Sequence, residues 1–266
     1  MTWIVGTPTL FGRAILVSDI RVTFSKLDGT SGFADCLQKI YPIGKSQLGG
    51  FSGSVNIGFK IIAQLALDSS KLSRDEDWIV DIIANTWFPR IARRIFNNSM
   101  DAEKQLGCSI ILASAHPSKN LGDVPWPQTN VHIFKAPNFE PEKIAPGGII
   151  SIGIGAGMDL YRGALKKLTQ SFDFHHAIVG GVGLQASVLA AEMTKLVTDQ
   201  PISGVSNLFQ IGIVTRKQYV IHNNESAIYS KNKPDIEVKF PKIVTNYNDF
   251  QEFCRERMKL TDPASC

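Results

Sequence analysis

Two short stretches, Thr2-Trp-Ile-Val-Gly-Thr-Pro8 and Ser18-Asp-Ile-Arg-Val-Thr23, decide how the rest of the chain is read. Both are rich in β-formers, and the Pro and Gly between Pro8 and Arg13 suit a hairpin connection. Thr2–Thr7 and Ala14–Thr23 are therefore predicted as two antiparallel strands. The apolar start lacks the basic flank of a secretory leader, and Pro8, Arg13 and Asp19 interrupt the run, so it reads as a strand that opens at residue 2.

Working outward, a polar Gly-containing loop over Ser25–Gly32 leads to two more predicted strands, Cys36–Pro42 and Gln47–Ser52, with a turn at Gly44. The period then becomes helical. Ile57, Ile61, Ile62, Leu65 and Leu67 mark one helix. Trp78, Ile79, Ile82, Ile83, Trp87, Ile91 and Ile95 mark a second, after a cap-like Ser73 and with a kink expected at Pro89. Ser109–Ala115, Val131–Phe134 and Ile149–Ile154 read as strands of a second sheet. Two further helices follow, on Leu160, Ala164, Leu165 and Leu168, and on Ala186, Leu189, Ala190, Met193 and Leu196. Strands at Leu208–Thr215 and Gln218–His222 and an amphipathic helix at about 246–260, carrying Phe250, Phe253 and Met258, complete the order. No long linker intervenes. The expected architecture is a single α+β domain over 1–266, a four-layer αββα sandwich in which two mostly antiparallel sheets pack face to face between paired helices.

Composition narrows the function classes. The 266 residues are 44% hydrophobic and 20% charged, with 15 Phe and 4 Trp to fill a core, which excludes disordered and collagen-like chains. Lys plus Arg number 28 and Asp plus Glu 24, a net charge of +4 that lacks the concentrated basic face of a nucleic-acid binder. No apolar run reaches the ~18 residues of a membrane span. Cys36, Cys108, Cys254 and Cys266 form no C-x-x-C pair, so reduced thiols in a cytoplasmic protein are expected, with no metal and no cofactor.

Three constellations carry possible chemistry. Gly153-Ile-Gly-Ala-Gly157 lies between a strand and a helix, where amides can hold phosphate, but its spacing departs from G-x-G-x-x-G and no βαβ alternation precedes it. A tight packing turn explains these glycines better. Adjacent His175 and His176 diverge on any regular element and have no carboxylate or thiol at ligand spacing, so they are assigned no metal. The third constellation is at the start. Removal of Met1, which a small following residue permits, leaves Thr2 with a hydroxyl nucleophile and an α-amine that can serve as its base. That amine titrates near ~8, so part of it is neutral at pH 7. Lys39, inside the apolar pattern Leu37-Gln-Lys-Ile40, can face a polar cleft and keep that balance, and Asp19 can pair with it. Each has a plainer role open to it: Thr2 as a strand residue, Lys39 as an exposed cation, Asp19 as a turn-end carboxylate.

Thr2-Trp-Ile-Val, Ser18-Asp-Ile-Arg-Val-Thr23, Gln38-Lys-Ile-Tyr-Pro-Ile43 and Gly50-Phe-Ser-Gly-Ser54, taken in order, resemble a proteasome β-subunit or its bacterial-type relatives, N-terminal nucleophile hydrolases. The resemblance implies a threonine nucleophile at Thr2, organised by Asp19 and Lys39, with the Gly53 amide donating to the oxyanion, a contact typically worth about 3–4 kcal/mol. The family's D-x-x-S-G segment is echoed, at a different spacing, by Asp199 and Ser203-Gly204, with Ser206 as another match. Where the family has G-S-G, Ile154 or Ala156 replaces the serine. The implied activity is hydrolysis of a peptide or small amide through an acyl-enzyme. The implied partners are further copies of the chain, rings being the family's usual assembly. An ATPase partner is left open, and neither nucleic acid nor membrane is expected. The competing reading is a catalytically inactive scaffold or binding protein with the same fold and self-assembly.

Overall fold

The computed structural model describes residues 2–9, 11–25, 30–71, 82–171, 174–223 and 240–259. Two five-stranded antiparallel sheets form its centre. The first has the order β10-β1-β2-β11-β12, from β1 (Trp3–Pro8), β2 (Ala14–Asp19), β10 (Ile150–Gly153), β11 (Phe209–Val214) and β12 (Tyr219–Asn223). The second has the order β5-β6-β7-β8-β9, from β5 (Ile40–Gly44), β6 (Gln47–Gly53), β7 (Cys108–Asn120), β8 (Pro127–Lys135) and β9 (Glu142–Ile144). A separate ribbon pairs β3 (Arg21–Ser25) with β4 (Ser31–Asp35).

The period of two sorts each strand between layers. Ile4, Leu16, Leu48, Ile111, Val131 and Ile133 meet in the core between the sheets. Gly6 lets the sheets close, since a Cβ there would lie 2.7 Å from Ile111 on the facing sheet. The alternate residues Tyr41, Phe51, Ile110, Leu112 and Phe134 face α1 (Val55–Ser69) and α2 (Phe88–Asn97). On the first sheet Trp3, Val5, Ile15, Val17 and Ile211 face α4 (Asp159–Ser171) and α5 (Phe174–Asp199). The four layers of the αββα sandwich are thus helices, sheet, sheet, helices. A five-residue α3 (Asp101–Gln105) precedes β7, and α6 (Tyr247–Lys259) is the helix expected at about 246–260. No helix among the described residues is long and apolar enough to cross a membrane.

Several boundaries differ from the sequence reading. The strand expected over Ala14–Thr23 is two: the chain leaves the first sheet at Asp19, whose carboxylate accepts the Arg21 amide, and enters the β3–β4 ribbon. The strand expected from Cys36 begins at Ile40, because Cys36 and Leu37 donate instead to the Ile20 carbonyl and Leu37 bridges Val244. Pro89, where a kink is expected, lies within a helical run continuous from residue 82, at the second residue of α2 and directly after a π-helical turn over Ile83–Trp87. Ser73, Trp78 and Ile79 lie outside the described residues, as do Met1 and the side chains of His175 and His176.

Candidate active site

Strand register brings Thr2, Asp19, Lys39 and Gly53 to one end of the sandwich. On the first sheet Trp3 pairs with Gly153, and Asp19 with Phe209, so Thr2, the end of β2, the end of β10 and the segment before β11 converge. On the second sheet Ile40 pairs with Gly50 and Gly53 with Cys108, which places Lys39, Gly53 and Cys108 at the same end. A cleft of about 800 Å³ opens there, lined by Thr2, Lys39, Ser52, Gly53, Cys108 and Gly153 among others.

Asp19 and Lys39 are 0% and 1% exposed, a degree of burial that charged side chains reach only when paired. The Lys39 Nζ lies 2.9 Å from Asp19 Oδ1 and also donates to the Arg21 carbonyl. Asp19 is fixed from every side. Its Oδ1 also accepts the Trp3 amide at 2.7 Å, and its Oδ2 accepts the amides of Arg21 at 3.0 Å and Ser206 at 3.4 Å. Burial pushes the Lys39 ammonium below the usual lysine range, while the charge and hydrogen bond of Asp19 pull it partway back. Arg21 secures the neighbouring chain: its guanidinium grips both oxygens of Asp35 at 2.7 and 2.9 Å and donates to the Val205 carbonyl at 3.1 Å. The Asp35 hydrogen bond holds that guanidinium above its ordinary value.

Thr2 is itself 5% exposed and held by the peptide groups on either side of its backbone. Its carbonyl accepts the Ile154 amide at 2.8 Å, and the next N–H is the one that reaches Asp19. Gly153 and Gly155 serve this clamp. At Gly153 φ is +89°, and a Cβ would sit 1.9 Å from the Thr2 carbonyl oxygen; at Gly155 a Cβ would strike the Trp3 ring at 2.4 Å. That ring meets Tyr161 tilted, at 4.6 Å, and Phe209 edge-on, at 6.2 Å, so the first strand is pinned in register by its first residue. Gly53 likewise takes a positive φ of +93°, with Gly107 O only 2.4 Å from where a Cβ would be.

The remaining candidates fall elsewhere. Asp199 ends α5 and Ser203 lies in the turn after it; both are exposed and neither lines the cleft. Ser206, fully buried, is the residue of that segment that reaches the site, through its amide on Asp19 and a hydroxyl that accepts the Leu208 amide. Ile154 stands in the cleft wall without a hydroxyl. Two thiols also line the cleft, but burial pushes Cys108 up to about 12 and raises Cys254, so neither is poised as a thiolate. Sequence reasoning missed Asp35, whose link to Arg21 is a cross-strand pair of the β3–β4 ribbon, and Glu103 and Asn56, which also line the cleft.

The arrangement of two sheets between helical layers agrees with one known architecture. The fold is proteasome-like. It is similar to the structure of Anbu (ancestral beta-subunit) from Yersinia bercovieri, with a TM-score of 0.58 and 12% sequence identity over 84% of this chain and 88% of that one. No family model matches the sequence. No curated protein matches it either. These findings correct the assignment to a bacterial-type N-terminal nucleophile hydrolase: at 12% identity the likeness reaches a proteasome-like fold and stops short of any particular hydrolase group.

Proposed function

We propose that this chain is a threonine-type amide hydrolase on a proteasome-like fold, with Thr2 as nucleophile once the bond between Met1 and Thr2 has been cut. The observation that carries this reading is the buried Asp19–Lys39 pair at the head of β1, whose carboxylate also holds the amide that follows Thr2. A charge pair taken wholly out of water adds little to stability, so its retention beside a cleft fits a catalytic use.

In this mechanism the free α-amine of Thr2 accepts the proton as Oγ1 bonds to the substrate carbonyl carbon. An ammonium has three donors; Lys39 gives two to Asp19 and Arg21, and the third serves the Thr2 hydroxyl as it loses its proton. The backbone N–H of Gly53 donates to the oxyanion. Collapse breaks the C–N bond, the α-amine passes its proton to the departing amine, and an ester on Thr2 remains. Water, deprotonated by the same amine, attacks that ester and releases the acid. Asp19 is a positioning residue throughout. Further copies of this chain are the proposed partners.

Ile154 favours a second reading, a proteasome-like scaffold without catalysis, because no hydroxyl faces the cleft where the resemblance called for one. Intact mass and turnover separate the two. The hydrolase reading expects protein lacking Met1 that cleaves fluorogenic peptides and loses at least a thousandfold in kcat/KM on Thr2→Ala. A retained Met1, or a Thr2→Ala protein as active as its parent, supports the scaffold.

A further inference from the structure

An ammonium on a flexible four-carbon stem goes where its backbone lets it. Lys39 closes a stretch, 36–39, that belongs to neither sheet and joins β4 to the start of β5 at Ile40. Two anchors hold that stretch. One is the Ile20 carbonyl, next to Asp19, which accepts the amides of both Cys36 and Leu37, at 3.1 and 3.0 Å. The other is Val244, far along the chain. Its carbonyl accepts the Gln38 amide at 3.0 Å and its amide donates to the Cys36 carbonyl at 2.6 Å, a parallel bridge centred on Leu37. Cys36, Leu37 and Val244 are all buried, where a broken backbone bond finds no water to replace it.

The two anchors act on different ends of the lysine. Its Nζ bonds to Asp19 and to the Arg21 carbonyl, the residues on either side of Ile20, so that side fixes where the ammonium stops. Val244 fixes where the stem begins. From Val244 the chain turns at once into the cleft. Asn246 caps α6, its Oδ1 accepting the Asp249 amide at 3.0 Å, and Tyr247, Phe250 and Cys254, on one helical face, line the cleft. Tyr247 meets Phe59 of α1 at a ring distance of 5.8 Å, and Phe250 and Phe253 pack on the core beneath α1. The same short segment thus grips the chain ahead of Lys39 and walls the cleft that Thr2 lines.

We propose that Val244 is a positioning residue for the reaction: its backbone bridge to Cys36 and Gln38 sets the Lys39 stem, so that Lys39 serves the Thr2 hydroxyl only while the segment over 244–254 is docked. This role deepens the hydrolase reading above and rests on it.

Two measurements test it. Val244→Pro deletes the N–H that reaches Cys36, whereas Val244→Ala trims the side chain and keeps both backbone bonds. With fluorogenic peptides, kcat should fall at least tenfold in Val244→Pro and stay at least fivefold higher in Val244→Ala than in Val244→Pro. Equal losses in the two, or a Val244→Pro kcat within threefold of the parent, overturn the role while leaving a hydrolase. The second measurement needs no turnover. In protein isotopically labelled at the lysine ε-carbon, the Lys39 NMR signal, identified by its absence from Lys39→Arg, should move toward the signals of the exposed lysines in Val244→Pro and keep its place in Val244→Ala. That result supports the bridge even where no peptide is cleaved; a signal that keeps its place in both variants overturns it. If Val244→Pro does not fold, the paired change Phe250→Ala and Phe253→Ala, which loosens α6 from its core contacts, replaces it in both measurements with the same outcomes.

Discussion

The two ends of β6 bury polar side chains on opposite terms. At its last residues, beside Gly53, the charges of Asp19 and Lys39 are wholly inside, and the carboxylate takes four donors. At its first residue the Gln47 side chain is 1% exposed, and neither its oxygen nor its nitrogen has a hydrogen-bond partner among the described residues. Asn130, two strands away through the Gln47–Ser114–Asn130 rung, leaves its Nδ2 unpartnered as well. One end is over-determined and the other is tolerated. Geometry this tight around a charge that does not help folding marks where the molecule needs a fixed electrostatic arrangement. An unsatisfied amide row marks only a cost that the apolar core absorbs.

The same replacement at both ends tests that contrast most severely. Lys39→Met strands the Asp19 carboxylate in the core and is expected to cost about 3–5 kcal/mol in urea unfolding. A loss below about 1 kcal/mol would make the two ends equivalent. Gly155→Ala comes next, at about 1–3 kcal/mol, because a Cβ 2.4 Å from the Trp3 ring must displace the strand whose amide anchors Asp19. Any activity should fall with it.

The pH dependence sharpens the charged end. Burial lowers the Lys39 pKa in the fold from the 10.5 of an open chain. Between those two values the unfolded chain binds a proton that the native protein has released, so unfolding free energy rises with pH across that window, by at most about 1.4 kcal/mol per pH unit. Lys39→Met should lack that rise in chemical unfolding from pH 7 to 10. The smallest effect belongs to the other end: Gln47→Met removes two unsatisfied polar atoms at similar volume and should leave stability within about 1 kcal/mol of the parent or raise it. A large loss there would reveal a function for the amide row.

Much of this fold is visible in periodicity, because a long run of alternating or helical apolar residues records which face is buried. Most of the order of strands and helices, the presence of two sheets and α6 follow from it, whereas β4, β9 and α3 do not, and Ile150–Gly153, expected in the second sheet, pairs with β1 in the first. Lys39 and Asp19 stand out for a related reason: a charge inside an apolar strand pattern has to be explained. What escaped the sequence depends on distant pairing. Nothing near Arg21 announces Asp35, because the ribbon that joins them exists only once the chain leaves the first sheet at Asp19. The local motif offers both Ser203 and Ser206, and only the folded chain chooses between them, because the Ser206 amide reaches Asp19 from 187 positions away. Glu103 and Asn56 are ordinary surface-type residues until α3 and α1 are brought together at the cleft.

Hydrolysis by this protein requires Thr2 to act with its own α-amine. A peptide epoxyketone reads both groups at once, since the hydroxyl adds to the ketone and the amine then opens the epoxide to close a morpholine ring. Mass spectrometry of the treated protein should show one adduct of the full inhibitor mass, mapped to Thr2 as the first residue, slowed at least a hundredfold by Lys39→Met and absent from Thr2→Ala. Protein that begins at Thr2 and yet forms no adduct there would contradict it.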